Sequence, residues 1–105
     1  MWGTVGSSCE VCYSSTKAAL IGFTKALAKE VGPSGITVNA IAPGLIDTDM
    51  NSSLSEEDKT EIYWQTPLMR IGKPEEVSSA MLFLASEGAA FITGAVINVS
   101  GGLVV

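Results

Sequence analysis

The sequence predicts an α/β fold built around a parallel sheet. Two short apolar runs, residues 35–42 and 95–100, are closed by Pro43-Gly44 and by Gly101-Gly102, and their near-continuous hydrophobicity is typical of strands buried on both faces. Helical patterns lie between the runs, and strands joined through helices run parallel. Two strands make a small sheet for so apolar a chain, so we expect part of an α/β layer rather than a complete one.

The first elements are a loop and a long helix. Residues 1–12 are rich in Gly, Ser and Cys and predict a loop, and residues 13–32 predict a helix. Apolar residues recur there at three- and four-residue steps, which indicates a wide buried face. Gly32-Pro33 ends the pattern. Gly22 is costly inside a helix, and a close packing contact would be a reason to keep it.

The second half of the chain alternates loop, helix and strand within the same single domain, residues 1–105. Residues 43–73 are mostly loop, interrupted by a short helix that Ser55 caps and that three acids open, ending near Gln65. Pro74, at a first helical position, opens a helix over 74–86. The strand at 95–100 follows.

Composition and charge exclude several function classes. Only 16% of the residues are charged, against about 25% in typical soluble domains. We therefore expect much of the chain to be buried in its own core or against a partner. The net charge is −5 and the sequence has no basic stretch, so electrostatics does not favour binding to nucleic acid or to an anionic membrane. No apolar run approaches the ~20 residues of a membrane span, and nothing resembles a signal peptide. A reducing cytoplasm is therefore the expected location.

Tyr13 and Lys17 form a candidate catalytic pair. They are one helical turn apart and share a helix face. A nearby ammonium lowers the pKa of a tyrosine from about 10, which suits the phenol to exchange a proton with a carbonyl oxygen. The spacing alone also fits two ordinary surface residues.

Cys9 and Cys12 form a CxxC pair, which suggests a redox site or half a zinc site. The sequence has no second pair and no histidine, so one chain cannot supply four zinc ligands. Two loop cysteines without a function are the alternative. No metal site is predicted.

The sequence that follows Tyr13 resembles that of a known protein family. The segment YSSTKAALIGFTKALAKEVGPSGITVNAIAPGLIDTDM closely resembles the second half of the short-chain dehydrogenase/reductase family, and most of all its 3-oxoacyl-(acyl-carrier-protein) reductase branch. The resemblance continues through PLMRIGKPEEVSSAMLFLAS and ITGAVINVSGG and covers essentially the whole chain. It implies the C-terminal part of a doubly wound, Rossmann-like sheet and carbonyl reduction with NADP or NAD, within fatty acid biosynthesis.

The resemblance also implies roles for single residues. Tyr13 would be the acid/base, and Lys17 would tune it and hold the nicotinamide ribose. Both would contact the cofactor, together with a loop that wraps the nicotinamide. The loop residues are Pro43, Gly44, Ile46 and Thr48. The Ile46 backbone would bond the nicotinamide carboxamide, and the Thr48 hydroxyl would contact the carboxamide or a phosphate.

The same resemblance describes a lid and an assembly. Residues 49–71 would be a mobile lid over substrate, in which Trp64, Leu68 and Met69 would line an acyl pocket or serve as core or interface residues. Trp2 would pack at the mouth of the site. Members of the family are homo-oligomers, which implies self-association through the Tyr-bearing helix and the last helix and strand.

Some family features are not found in the 105 residues. The glycine-rich dinucleotide-binding half is missing, and the expected place of the catalytic serine falls ahead of Met1, since Ser7 and Ser8 lie too near Tyr13. Ser100 stands where Asp commonly precedes Gly-Gly. Three interpretations stay open: a reductase, a non-catalytic remnant that keeps an assembly surface, and, more distantly, a CxxC module.

Overall fold

The computed structural model describes residues 7–48 and 54–103, with the backbone alone over residues 7–14. The elements in chain order are helix α1 (Ser7–Val31), a 3-10 turn (Gly32–Ser34), strand β1 (Ala40–Pro43), helix α2 (Glu56–Gln65), helix α3 (Pro74–Leu84), a second 3-10 turn (Glu87–Ala89) and strand β2 (Val96–Val99).

The two strands pair in parallel, as the sequence predicts. Their register runs from Ala40 opposite Val96 to Pro43 opposite Val99. The strand predicted at 35–42 begins only at Ala40. Just before it, the side chain of Asn39, rather than its backbone, makes the hydrogen bonds to the segment that precedes β2. The Ala95 N–H donates to the Asn39 side-chain oxygen at 3.0 Å, and the Asn39 amide donates to the Ile92 carbonyl at 3.1 Å.

Helix α1 is longer than expected at its start. It begins at Ser7, so residues 7–12 are helical and the loop expected there is corrected. No Gly or Pro interrupts SSCEVC, whereas the apolar periodicity on which the prediction relied starts only further along. The helix ends at Val31, and Gly35, at φ 77°, donates its N–H to the Gly32 carbonyl at 2.8 Å.

Helices α2 and α3 begin where their sequence signals place them. The Ser55 hydroxyl oxygen accepts the Asp58 N–H at 3.0 Å, which confirms the predicted cap. Helix α3 opens on Pro74 and ends at Leu84 rather than Ser86. Helix α3 packs against both strands of the sheet.

The wide buried faces predicted for the helices and strands are not found within the part of the chain that the structure describes. The buried residues are Thr24, Ala28, Ile62, Thr66 and Ala89. The exposed large apolar residues include Leu20, Phe23, Met81, Leu82 and Phe83. Both strands are half-buried apart from exposed Pro43 and Asn98. A two-stranded sheet offers too little surface to cover these helices.

Helix α1 meets the rest of the chain near its C-terminal end. The Lys25 ammonium donates to the Gly94 carbonyl at 3.3 Å, and a Cβ on Gly94 would lie 3.5 Å from the Cβ of Ala28. Within the described residues, Gly22 has no neighbour within 4 Å of where its Cβ would stand, so the close contact expected there is not found among them.

Candidate functional site

The candidate site lies at the carboxyl ends of β1 and β2. Because the strands are parallel, the loop after Pro43 and the turn after Val99 emerge at the same edge of the sheet. Ligands of open α/β sheets bind at this edge. The loop after β1 contains Gly44, Ile46 and Thr48 of the expected cofactor segment.

Gly44 is required where the two strand ends meet. Its N–H donates to the Val99 carbonyl at 3.0 Å, and a Cβ added to it would lie 2.9 Å from the Ser100 Cα. Real Cβ atoms do not approach a neighbour so closely, so glycine is needed for packing against β2. Glycine also lets the backbone approach a ligand closely, but the contact with Ser100 alone is a sufficient reason for glycine at position 44.

A groove brings four of the expected cofactor residues together. It is an open depression of about 390 Å³ lined by Pro43, Gly44, Ile46, Thr48, Pro74, Val77 and Ser78. The last three belong to the first turns of α3. Sequence reasoning missed them, because nothing in the spacing of residues 74–78 tells which loop they will face.

The catalytic pair expected from the sequence lies on α1. Tyr13 and Lys17 are both within Ser7–Val31, one turn apart, so the backbone places them on the same helix face. The side chain of Tyr13 lies outside the described residues. Lys17 is half-buried and is not among the residues that line the groove.

A second pocket lies beside the groove loop, which is the segment of residues 44–48 that follows β1. It encloses about 220 Å³ between the groove loop, the segment after α2 and residues 98–101, and Leu68, Arg70 and Glu76 contribute to its wall. Of the residues expected to line an acyl pocket, Leu68 is thus placed in a pocket. Trp64 instead borders a shallow depression on acidic α2, and Met69 is half-exposed at φ 54°, an uncommon value outside glycine.

The segment after α2 is fixed against the turn after β2. The Leu68 N–H donates to the Gly101 carbonyl at 3.0 Å, and a Cβ on Gly102 would stand 2.9 Å from Pro67. The buried Thr66 hydroxyl donates to the Ile62 carbonyl at 2.8 Å, which ends α2 without an unpaired polar group. Residues 66–68 of the expected lid are therefore packed against the turn after β2.

The pair Arg70–Glu76 is an ion pair beside the second pocket. The guanidinium donates to both carboxylate oxygens, at 2.7 and 2.6 Å, and the Lys73 N–H donates to the same carboxylate at 2.9 Å. The bond from Arg70, followed by that from Lys73, lowers the pKa of Glu76 from 4.5 to about 2. The carboxylate in turn raises the pKa of Arg70. Both groups stay charged around neutral pH.

Other candidate features gain no support. The side chains of Ser7, Ser8, Cys9 and Cys12 lie outside the described residues, and so does Trp2. Within residues 7–48 and 54–103, no group of three His, Cys, Asp or Glu is placed to hold a metal ion. A search of the described helices for one long and apolar enough to cross a membrane finds none.

Comparison with known proteins gives consistent matches. Residues 2–104 match a family model described as enoyl-(acyl carrier protein) reductase. The chain is 56% identical over 101 residues to the 3-oxoacyl-[acyl-carrier-protein] reductase FabG of Aquifex aeolicus and 52% identical over 101 residues to that of Chlamydia trachomatis. These alignments cover 96% of this chain and 41% of each relative.

A match to an uncharacterized oxidoreductase of Bacillus subtilis, YmfI, has 48% identity and covers 97% of this chain and 42% of the relative. A crystal structure of 3-oxoacyl-[acyl-carrier protein] reductase from Brucella melitensis superposes with a TM-score of 0.82 at 47% identity, over 87% of this chain and 34% of that one. The chain thus spans about two fifths of the length of the relatives it matches.

Proposed function

Since the chain belongs to the short-chain dehydrogenase/reductase family, we propose that it supplies the proton donor and the nicotinamide end of the cofactor site of an NAD(P)H-dependent carbonyl reductase. The observation that carries the proposal is the single groove shared by Pro43, Gly44, Ile46 and Thr48 at the carboxyl end of β1. Its position is that of ligand sites in parallel sheets.

Tyr13 and Lys17 share the proton transfer in this proposal. The Tyr13 phenol donates its proton to the substrate carbonyl oxygen while carbon is reduced, and it takes a proton back in the reverse direction. The Lys17 ammonium, one helical turn away, favours the phenolate and lowers the pKa of the phenol. Lys17 also binds the ribose hydroxyls beside the nicotinamide. The cofactor, when bound, supplies the hydride.

The loop after β1 orients the nicotinamide ring. The Ile46 backbone binds the carboxamide, the Thr48 hydroxyl contacts the carboxamide or a phosphate, and Pro43 and Gly44 line the groove. Thr48 is exposed, so its hydroxyl is accessible to a ligand. The residues present fit this part of a dinucleotide, whereas no residue of the 105 is assigned to its adenosine half.

We propose a 3-oxoacyl thioester as substrate class, NADP as the cofactor and the cytoplasm as the location. The names of the relatives support the substrate class, since two of those described carry 3-oxoacyl reduction in their names at more than half identity. The choice of NADP over NAD rests on the branch of the family that the sequence most resembles. The pocket lined by Leu68 is the proposed entry for the acyl chain.

Cofactor titration followed by a rate assay tests this function. NADPH fluorescence is titrated with the 105-residue chain, and reduction of acetoacetyl-CoA is then followed by loss of NADPH absorbance. We expect binding in the wild type and a rate about 10²–10⁴-fold lower in Tyr13→Phe, which removes the proton donor and keeps the ring. Absence of NADPH binding at millimolar concentration would reject the enzyme for this chain.

The exposed helix faces support a second candidate, a homo-oligomerisation surface that needs no catalysis. Phe23 on α1 is 62% exposed and Leu82 on α3 is 72% exposed, and both elements are those through which we expect copies of the chain to associate. Apolar surfaces of this kind mark association sites. If the chain self-associates and binds no NADPH, the non-catalytic interpretation holds.

A further inference from the structure

The loop that forms the groove is bonded to the segment just before α3. The Asp47 N–H donates to the Gly72 carbonyl at 2.9 Å, and the Gly72 N–H donates to the Leu45 carbonyl at 3.0 Å. These two bonds make an isolated parallel bridge centred on Ile46 and Gly72. The position of the groove loop therefore depends on where Gly72 is held.

The fit between Ile46 and Gly72 is close. A Cβ on Gly72 would lie 2.7 Å from the Ile46 Cδ1, so the Ile46 side chain occupies the space beside this glycine. A shift of Gly72 along the chain direction would break both hydrogen bonds and move Ile46, which lines the groove.

One carboxylate holds both sides of Gly72. Glu76, in the first turn of α3, accepts two bonds from the Arg70 guanidinium and one from the Lys73 N–H. Arg70 and Lys73 flank the Ile71-Gly72 pair, so Glu76 closes residues 70–76 into a ring of fixed shape. The Arg70 and Glu76 side chains are 50% and 38% exposed, so the pair adds little to global stability, and its effect is on local geometry.

We propose that Arg70 and Glu76 are positioning residues, which hold Gly72 in register with Leu45 and Asp47 and thereby fix the wall of the groove. The role of this wall in orienting a nicotinamide rests on the proposed function above. The register of Gly72 with Leu45 and Asp47 does not depend on that function. The low pKa of Glu76 agrees with the proposal, since the carboxylate stays charged and paired throughout the physiological pH range.

Amide hydrogen exchange in the 105-residue chain tests the register directly. The variants are Arg70→Gln, Glu76→Gln and both together, and Glu56→Gln is the matched control, since it removes an exposed ion pair with Lys59 in α2. We expect the Gly72 and Asp47 N–H groups to exchange roughly threefold to fivefold faster in each single variant, with the urea midpoint close to that of the control. Arg70→Lys keeps the charge and loses the two-pronged geometry, so it should restore slow exchange only in part.

The double variant separates positioning from two independent effects. Because both residues act through one contact, the double variant should exchange no faster than the single ones. Exchange at the wild-type rate in Arg70→Gln and Glu76→Gln would overturn the proposal. So would a uniform acceleration over all amides, because that result indicates a loss of global stability.

NADPH titration of the same variants distinguishes this inference from the proposed function. Faster exchange at Gly72 with roughly threefold to fivefold weaker NADPH binding supports both. Faster exchange with unchanged NADPH affinity, or with no NADPH binding by the wild type, supports the register and rejects the role of the groove in cofactor binding.

Discussion

The side-chain oxygen of Asn39 accepts the backbone N–H of Ala95 at 3.0 Å, so one side chain takes the place of a ladder bond at the start of the sheet. Asn39→Ala leaves that N–H and the Ile92 carbonyl without their partners. We expect the free energy of unfolding to fall by about 1–2 kcal/mol. Urea denaturation measures the change. Thr37→Ala, at an exposed position of the same segment, should stay within about 0.5 kcal/mol of wild type.

Two glycines should respond to alanine with opposite signs. Gly44→Ala places a Cβ 2.9 Å from the Ser100 Cα, and the strand ends must separate, at a cost of about 1–3 kcal/mol. Gly22→Ala, in a helix interior, meets no atom of the described residues within 4 Å and should stabilise by about 0.4–1 kcal/mol. Urea midpoints of the two variants test both. Equal destabilisation would contradict the packing described at Gly44.

The ion pair Arg70–Glu76 should give a characteristic pH dependence. The pKa of Glu76 is about 2 in the folded chain, below its ordinary 4.5. Between these two pH values the folded state therefore binds fewer protons than the unfolded state. The stabilisation by the carboxylate is therefore complete above about pH 4.5 and is lost as the pH falls towards 2. We expect the ratio of Gly72 N–H exchange rates between Glu76→Gln and wild type to be constant near neutral pH and to fall towards one over this acid range.

Glu75→Gln is the control for this pH series. It removes a carboxylate from the same turn of α3, which corrects for the change in net charge. A ratio of exchange rates between Glu76→Gln and wild type that grows as the pH falls through this range would contradict the charge state assigned to Glu76.

Self-association should depend on the exposed helix faces. Phe23→Ser and Leu82→Ser each remove a large apolar side chain, and burial of such a side chain is worth about 1.5–3 kcal/mol. Each variant should therefore weaken the oligomer at least about tenfold if its face is in the interface. Light scattering after size-exclusion chromatography measures the mass. Lys29→Ser, at an exposed polar position of α1, should leave it unchanged.

A wild-type chain that elutes as a 10.9 kDa monomer at all concentrations would contradict the assembly surface.

Local signals in the sequence predicted the local structure well. Ser55 with its three following acids, Pro74 at a helix start and the Gly32-Pro33 stop each act within one turn of chain, and the structure shows an element boundary at each. The start of α1 at Ser7 was not predicted, since the SSCEVC stretch has neither a cap nor an apolar period.

Features that depend on distant partners could not be predicted. The late start of β1 follows from the bonds of Asn39 to residues more than fifty positions away. The groove acquires Val77 and Ser78 only because α3 packs beside the loop after β1. The exposure of Phe23 reflects how little sheet the described residues contain, and apolar periodicity gives no sign of that.

The parallel pairing of β1 and β2 also determines the order in which this chain can fold. Asn39 and Ala95 are 56 residues apart, and every contact between the strands spans a loop of that size. Closing this loop costs conformational entropy before the hydrogen bonds between the strands can stabilise the chain. Each helix turn, in contrast, forms from residues that are already adjacent in the sequence. Helices α2 and α3 lie inside the loop, and by shortening its effective length they bring the strand segments together sooner. We therefore expect the encounter of residues 39–43 with 95–99 to be the slow step of folding.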